Sequence, residues 1–251
     1  MIELRELYGE ANGVLIGKLT KKLKNGSIYG VYGAKGEGSL LLSLLAGVYK
    51  PLSGTVLLNG LDVWKTPAEA RRQMGYFPAD NGLYPSLTAT EYLLMLADLQ
   101  GLSYEKSIRR THEILEWAEL TDKKDRLISR LSPLEQKLLG IGGTLLGNAD
   151  ILLLDGVLKS LNARNEQEVL AAIKSLPPQK TIFLSDTRLS VLQEVCDEVL
   201  LLSESQEVTT AVPNVPSRTS VKKSRWAILT QKNDEYETID DSSPKETEVQ
   251  K

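Results

Sequence analysis

The chain of 251 residues has a single cysteine, Cys196, and a single histidine, His112. One cysteine excludes an intramolecular disulfide and any cysteine-based metal cage. One histidine leaves no material for a His-rich metal site and makes a His-dependent catalytic triad hard to build. No apolar run reaches the ~20 residues of a membrane span. The first ten residues, MIELRELYGE, carry charge where a cleaved leader needs an apolar centre, so no leader is expected. Surplus positive charge is missing too. Thirty Lys and Arg face 33 Asp and Glu, a formal net charge of −3, which argues against free nucleic acid as a main partner. These absences predict a reduced, cytoplasmic setting.

What is present suits a folded chain with a sizeable core: 41% apolar and 25% charged residues. At roughly 100–200 residues per domain, the length gives one domain, or one domain plus a small appendage. Strand-like runs fall at 2–4, 14–19, 27–33, 54–60 and 74–78. The middle is helical: 88–99 behind the capping box Thr88-Ala89-Thr90-Glu91, 103–120, and 132–146 behind Ser132-Pro133-Leu134-Glu135. An apolar helix is also expected at 37–47. Strand and helix then alternate again, with strands at 151–155, 181–185 and 198–203 and helices at 165–174 and 189–195. That alternation implies βαβ units and a parallel sheet. From Glu204 the composition turns to Pro, Ser, Thr and charge, with basic residues first and acidic ones later. It reads as a polar, flexible tail holding at most a short hairpin around Lys232-Asn-Asp-Glu.

Three segments carry chemistry. Gly33-Ala34-Lys35-Gly36-Glu37-Gly38-Ser39-Leu40 stands after a strand and before a helix, the place of a phosphate-binding loop. Its glycines allow successive N–H groups to form an anion nest. A working loop also needs a lysine for the β/γ-phosphates and a hydroxyl for Mg²⁺, where this chain has Ser39 and Leu40. Leu131-Ser132-Pro133-Leu134-Glu135-Gln136 follows about a hundred residues on, and ILLLDGVLKSLN begins at Ile151. Taken alone, the first segment reads better as a tight strand-to-helix turn.

The order and spacing of these segments resemble the ATP-binding cassette (ABC) family of transporter motor domains, over about residues 1–203. Further stretches support this: 48–60 (VYKPLSGTVLLNG), 82–93 (GLYPSLTATEYL) and 144–155 (TLLGNADILLLD). The wording is closest to the drug-exporter-like branch. The resemblance implies an α/β fold: a P-loop NTPase-like core with a parallel sheet, an N-terminal antiparallel subsheet, and a helical subdomain at about 80–147. It implies an adenine-stacking aromatic at Tyr8, and phosphate contacts at Gly33, Lys35, Gly36, Gly38 and Ser39. Asp155 is the retained strand carboxylate and a candidate Mg²⁺ support, read otherwise as a strand-end group bonding local backbone. The remaining family positions are departures. The loop Lys and hydroxyl fall on Ser39 and Leu40, and the water-sensing Gln on Ala79. The signature glycines fall on Pro133 and Leu134, and the catalytic Glu on Gly156. The loop Asp falls on Asn162 and the switch His on Thr187.

Each departure removes a group that phosphoryl transfer uses for positioning or charge stabilisation. The expectation is a catalytically inactive ATP-binding-like subunit, with ATP bound weakly if at all, Mg²⁺ doubtful, and Lys35 as the substitute cation. Its expected partners are an active ATPase subunit and/or a membrane permease in an export complex. It would sit on the inner face of the membrane and dock through the groove around residues 79–92. The alternatives are a non-hydrolytic ATP-binding regulator, a residual ATPase using Lys35 or Asp186, and a soluble scaffold without a permease.

Overall fold

Asn12 and Gly13 both adopt positive φ, 53° and 77°, the backbone of a tight primed hairpin turn. They join β1 (Ile2–Ala11) to β2 (Val14–Leu23). Both strands run several residues beyond the expected 2–4 and 14–19. The pairing shifts register around Leu7, next to Glu6 at φ 46°, so the apolar alternation that marks a strand is interrupted partway. The computed structural model describes residues 1–202 and the backbone of 209–211.

The chain continues through β3 (Ile28–Tyr32), α1 (Glu37–Leu45), β4 (Ser53–Leu58), β5 (Leu61–Asp62), α2 (Pro67–Arg72) and β6 (Met74–Phe77). Three helices follow: α3 (Ala89–Leu99), α4 (Tyr104–Trp117) and α5 (Pro133–Gly143). Then come β7 (Ile151–Asp155), α6 (Ala163–Lys174), β8 (Thr181–Asp186), α7 (Leu189–Val195), β9 (Glu198–Leu201) and β10 (Thr209–Ala211). Sequence patterning gave no helix at α2, a six-residue element started by Pro67. It carried α5 on to 146, whereas the helix stops where the Thr144 hydroxyl bonds back to the Ile141 carbonyl at 2.6 Å. Of the stretch assigned to the tail, 209–211 pairs antiparallel with β9 and extends the sheet. The hairpin expected around residue 232 lies outside the described residues.

Two sheets form the frame. One is antiparallel, in the order β2-β1-β4-β5; the other runs β10-β9-β3-β8-β7-β6, with β9 through β6 mutually parallel. Helix α1 lies between the sheets. Its run Leu40–Leu45 is buried and packs with Ile2, Leu4 and Leu7 of one sheet and Val31, Ile151 and Phe183 of the other. A helix apolar on every side has to be enclosed in this way. The opposite face of the parallel sheet presents Leu152, Leu154, Ile182 and Leu184 to a second core built with α3–α7 and centred on Trp117. The central strands alternate between these cores residue by residue, which explains their continuous apolar reading.

Both expected capping boxes are formed. In α3, Glu91 N–H donates to the Thr88 hydroxyl at 3.2 Å, and Thr88 N–H donates to the Glu91 carboxylate at 2.8 Å. In α5 the corresponding bonds join Ser132 and Glu135 at 3.3 and 2.8 Å. Burial pushes the Glu135 carboxyl up. The Lys123 ammonium and the Ser132 N–H and hydroxyl outweigh it, and the net shift is down. A carboxyl held low in the folded state stabilises above its ordinary value of 4.5 and loses that contribution as pH falls below it. Ser132→Ala is expected to cost about 1 kcal/mol in urea unfolding at neutral pH. Glu135→Gln is expected to flatten the acid-side loss of stability, read as melting midpoint against pH.

Candidate phosphate-loop site

Between β3 and α1 the chain reverses through Gly33–Gly36. Gly36 takes φ 103°, open to glycine and strained for any side chain. A Cβ on Gly38 would sit 3.0 Å from the Val31 carbonyl, so strand and helix meet at glycine distance. The backbone thus has the path of an anion nest at a helix start. The group placed in it is Glu37. This side chain, 4% exposed, folds back over the loop, and its Oε2 accepts the Lys35 N–H at 2.8 Å. Lys35, the candidate substitute cation, is exposed.

Ser39 stands at the lysine position of the loop. Its Oγ donates to Asp155 Oδ1 at 2.8 Å. The Ser185 hydroxyl donates to the same oxygen, and Gly156 N–H donates to Ser185 Oγ at 3.1 Å. Asp155 is therefore a buried strand-end acceptor for two hydroxyls, correcting the expected bond to local backbone. Leu40, at the hydroxyl position, is buried in the α1 core.

Cavities of about 430 and 700 Å³ meet here and share Gly36, Ser39, Ala79 and Asp155. The smaller also collects Gly33, Gly38, Gly156 and Thr187, so nearly all the phosphate-side positions expected from the sequence are brought together. Tyr8 is not among them. It lines neither cavity, pairs with Ser53 in the antiparallel sheet, and accepts the Leu52 N–H at its carbonyl. The aromatics of the larger cavity are Tyr49 and Tyr76. The Tyr76 hydroxyl lies 3.2 Å from Ser43 Oγ, and burial pushes its pKa up against that hydrogen bond.

The other expected positions are held by local structure. Ser132 and Glu135 complete a helix cap, Pro133 has no N–H to offer a phosphate, and Leu134 carries bulk. Asn162 caps α6, accepting the Asn165 N–H at 2.9 Å. At the cavity rim Arg188 binds Asp186 through two bonds of 3.0 Å and Glu166 through one of 2.8 Å. These partners raise the Arg188 pKa and engage its charge.

Lys137 escaped the sequence reading. It lies on α5, 5% exposed, with its ammonium donating to Asn81 and to the Gly156 carbonyl at 3.2 Å, 5.3 Å above the Phe77 ring. Burial, with Lys159 adding to it, pushes its pKa down; Asp155 pulls the other way. A charged residue directly before the apolar run Leu138–Ile141 was the available signal. The Ser185 bond had a fainter one: Asp155 and Ser185 face each other in register on neighbouring strands.

A family model described as "ABC transporter" matches residues 16–158, more than half of the chain. The chain belongs to the ABC transporter family. Among relatives of this ABC protein, the linearmycin resistance ATP-binding protein LnrL of Bacillus subtilis is 24% identical over 207 residues, 82% of this chain and 66% of that one. The bacitracin transport ATP-binding protein BcrA of Bacillus licheniformis is 30% identical over 207 residues, 81% and 66% of the two chains. The chain thus spans just under two thirds of these relatives' length. The solved dimer of the ATP-binding cassette MJ0796 bound to ADP and Pi superposes with a TM-score of 0.73 at 21% identity, over 85% of this chain and 99% of that one. The fold is that of the ABC ATPase domain. Among the described residues, no helix is long and apolar enough to cross a membrane.

Proposed function

We propose that this ABC cassette is catalytically inactive and serves a structural or regulatory role beside an active ATPase subunit and/or a membrane permease. One observation carries the reading: around the loop, the groups that would act on a γ-phosphate are missing or engaged in folding. Ser39 bonds Asp155, Leu40 packs in the core, Gly156 has no side chain, and Ser132 caps a helix. The cassette unit spans 1–203 in this reading, with 80–147 as its helical part and 209–211 as an added edge strand. The residual nucleotide contacts in this reading are Gly33, Gly36, Gly38, Ser39 and the exposed Lys35, with Asp155 the metal candidate.

The permease side is assigned to the groove between β6 and α3. Its cavity of about 300 Å³ is lined by Phe77, Tyr84, Tyr92, Met95 and Leu99. Tyr84 and Leu99 are 54% and 75% exposed, a wet apolar margin of the kind partners cover.

Calorimetric titration with ATP, with and without Mg²⁺, tests the reading. Binding no tighter than about millimolar, unchanged by Mg²⁺, is the expected outcome. Micromolar binding that requires Mg²⁺ would make the chain a competent nucleotide-binding subunit and end the proposal.

A further inference from the structure

A ring of backbone N–H groups at a helix start attracts an anion, and the helix dipole adds to the pull. In this chain the anion is built in. Glu37 opens α1, yet its side chain turns back into the loop and becomes 4% exposed. Its Oε2 takes the Lys35 N–H at 2.8 Å and lies 2.7 Å from where a Cβ on Gly33 would be. Only glycine at position 33 leaves room for it. The side chain next to it that would carry a cation in a working loop is Ser39, turned away to Asp155.

We propose that Glu37 is an internal ligand of the phosphate loop: its carboxylate occupies the phosphate position and keeps phosphorylated ligands out. Two effects act together. The carboxylate fills the space between Gly33 and the helix start, and its charge repels a phosphate at contact distance. This rests on the reading of the chain as an inactive cassette and adds a cause separable from the lost catalytic groups. The nest itself stays intact beneath the carboxylate, because Gly33, Gly36 and Gly38 keep the backbone path. Removing the carboxylate should therefore create affinity that the unvaried chain lacks.

The test titrates the full chain with inorganic pyrophosphate, free of metal, as the unvaried protein, Glu37→Ala and Glu37→Gln. The alanine variant is expected to bind at least ~10-fold more tightly than the unvaried chain. The glutamine variant, which keeps the volume and loses the charge, should fall between them. Variants that melt like the unvaried chain and bind pyrophosphate no better overturn the inference. A second readout needs no variant: the Lys35 amide of the unvaried chain should be protected from hydrogen exchange, and exchange at the open-loop rate overturns the inference too. If the unvaried chain binds Mg-ATP tightly and hydrolyses it, the functional reading falls. If it does neither and Glu37→Ala gains nothing, only this inference falls.

Discussion

Mixed with Mg²⁺ and ATP, the purified chain is expected to release phosphate no faster than ATP does in buffer. Phosphoryl transfer is carried by positioning and by charges placed around the γ-phosphate. Removing one preorganised group of this kind commonly costs on the order of 10²–10³ in rate. In the proposed reading the cation, the metal-binding hydroxyl, the acid after the strand and the switch side chain are all replaced, at Ser39, Leu40, Gly156 and Thr187. Groups that act as a unit do not add in free energy, so the deficit is at least that of the worst single loss. Single reversions are not expected to rescue activity. Ser39→Lys breaks the bond to Asp155 and meets the Glu37 carboxylate in the same loop. Gly156→Glu puts a side chain at φ 58°, a left-handed backbone that favours glycine over glutamate by about 1 kcal/mol. A phosphate-release assay decides the matter. Release that scales with protein concentration and disappears in Asp155→Asn would establish an ATPase.

The second large effect is on stability. Gly75→Ala in β6 would place a Cβ 2.3 Å from the Thr144 carbonyl oxygen, and Gly140→Ala in α5 would place one 2.0 Å from the Phe77 ring. The first obstacle is backbone at the end of α5. The second is a ring 1% exposed. Neither can step aside, so helix and strand must separate across the packed interface. Overpacking of this kind costs about 1–3 kcal/mol and sometimes more, with Gly75 at the upper end. Against a typical total of 5–15 kcal/mol, that is a large share of the domain's stability. Gly60→Ala is the control, since nothing lies within 4 Å of its added Cβ and only a positive φ is strained. Urea midpoints should fall in the order Gly60→Ala, Gly140→Ala, Gly75→Ala. Equal midpoints for all three would mean that α5 does not hold β6 at glycine distance.

The frame was legible wherever one local rule decided the structure. The strand at 151–155 and the helix at 189–195 agree with their sequence bounds to the residue, and both capping boxes form as spelled. What escaped depends on partners distant in sequence or on side-chain direction. Strand β1 is completed by β2 and β4 across the interruption at Glu6, so its own pattern undercounts it. The glycine turn between β3 and α1 was legible in the sequence. That Glu37 bends inward, and that Ser185 shares Asp155 with Ser39, follows from a rotamer and a sheet register that composition does not encode. Tyr8 was placed by resemblance alone, and it lies in the antiparallel sheet and lines neither cavity.

The strand order also sets a timetable for synthesis. Strand β3 ends at Tyr32, yet both of its neighbours, β8 and β9, come from the far end of the chain. At about 5–20 residues per second, a ribosome needs roughly 8–30 s to make the ~150 residues that separate Ile28 from Ile182. Throughout that interval the leucine-rich segment of α1 has the antiparallel sheet on one side, and the parallel sheet that will enclose the other side is incomplete. The nascent chain therefore passes through a prolonged half-built state with exposed apolar surface, the kind of species that chaperones shield from aggregation.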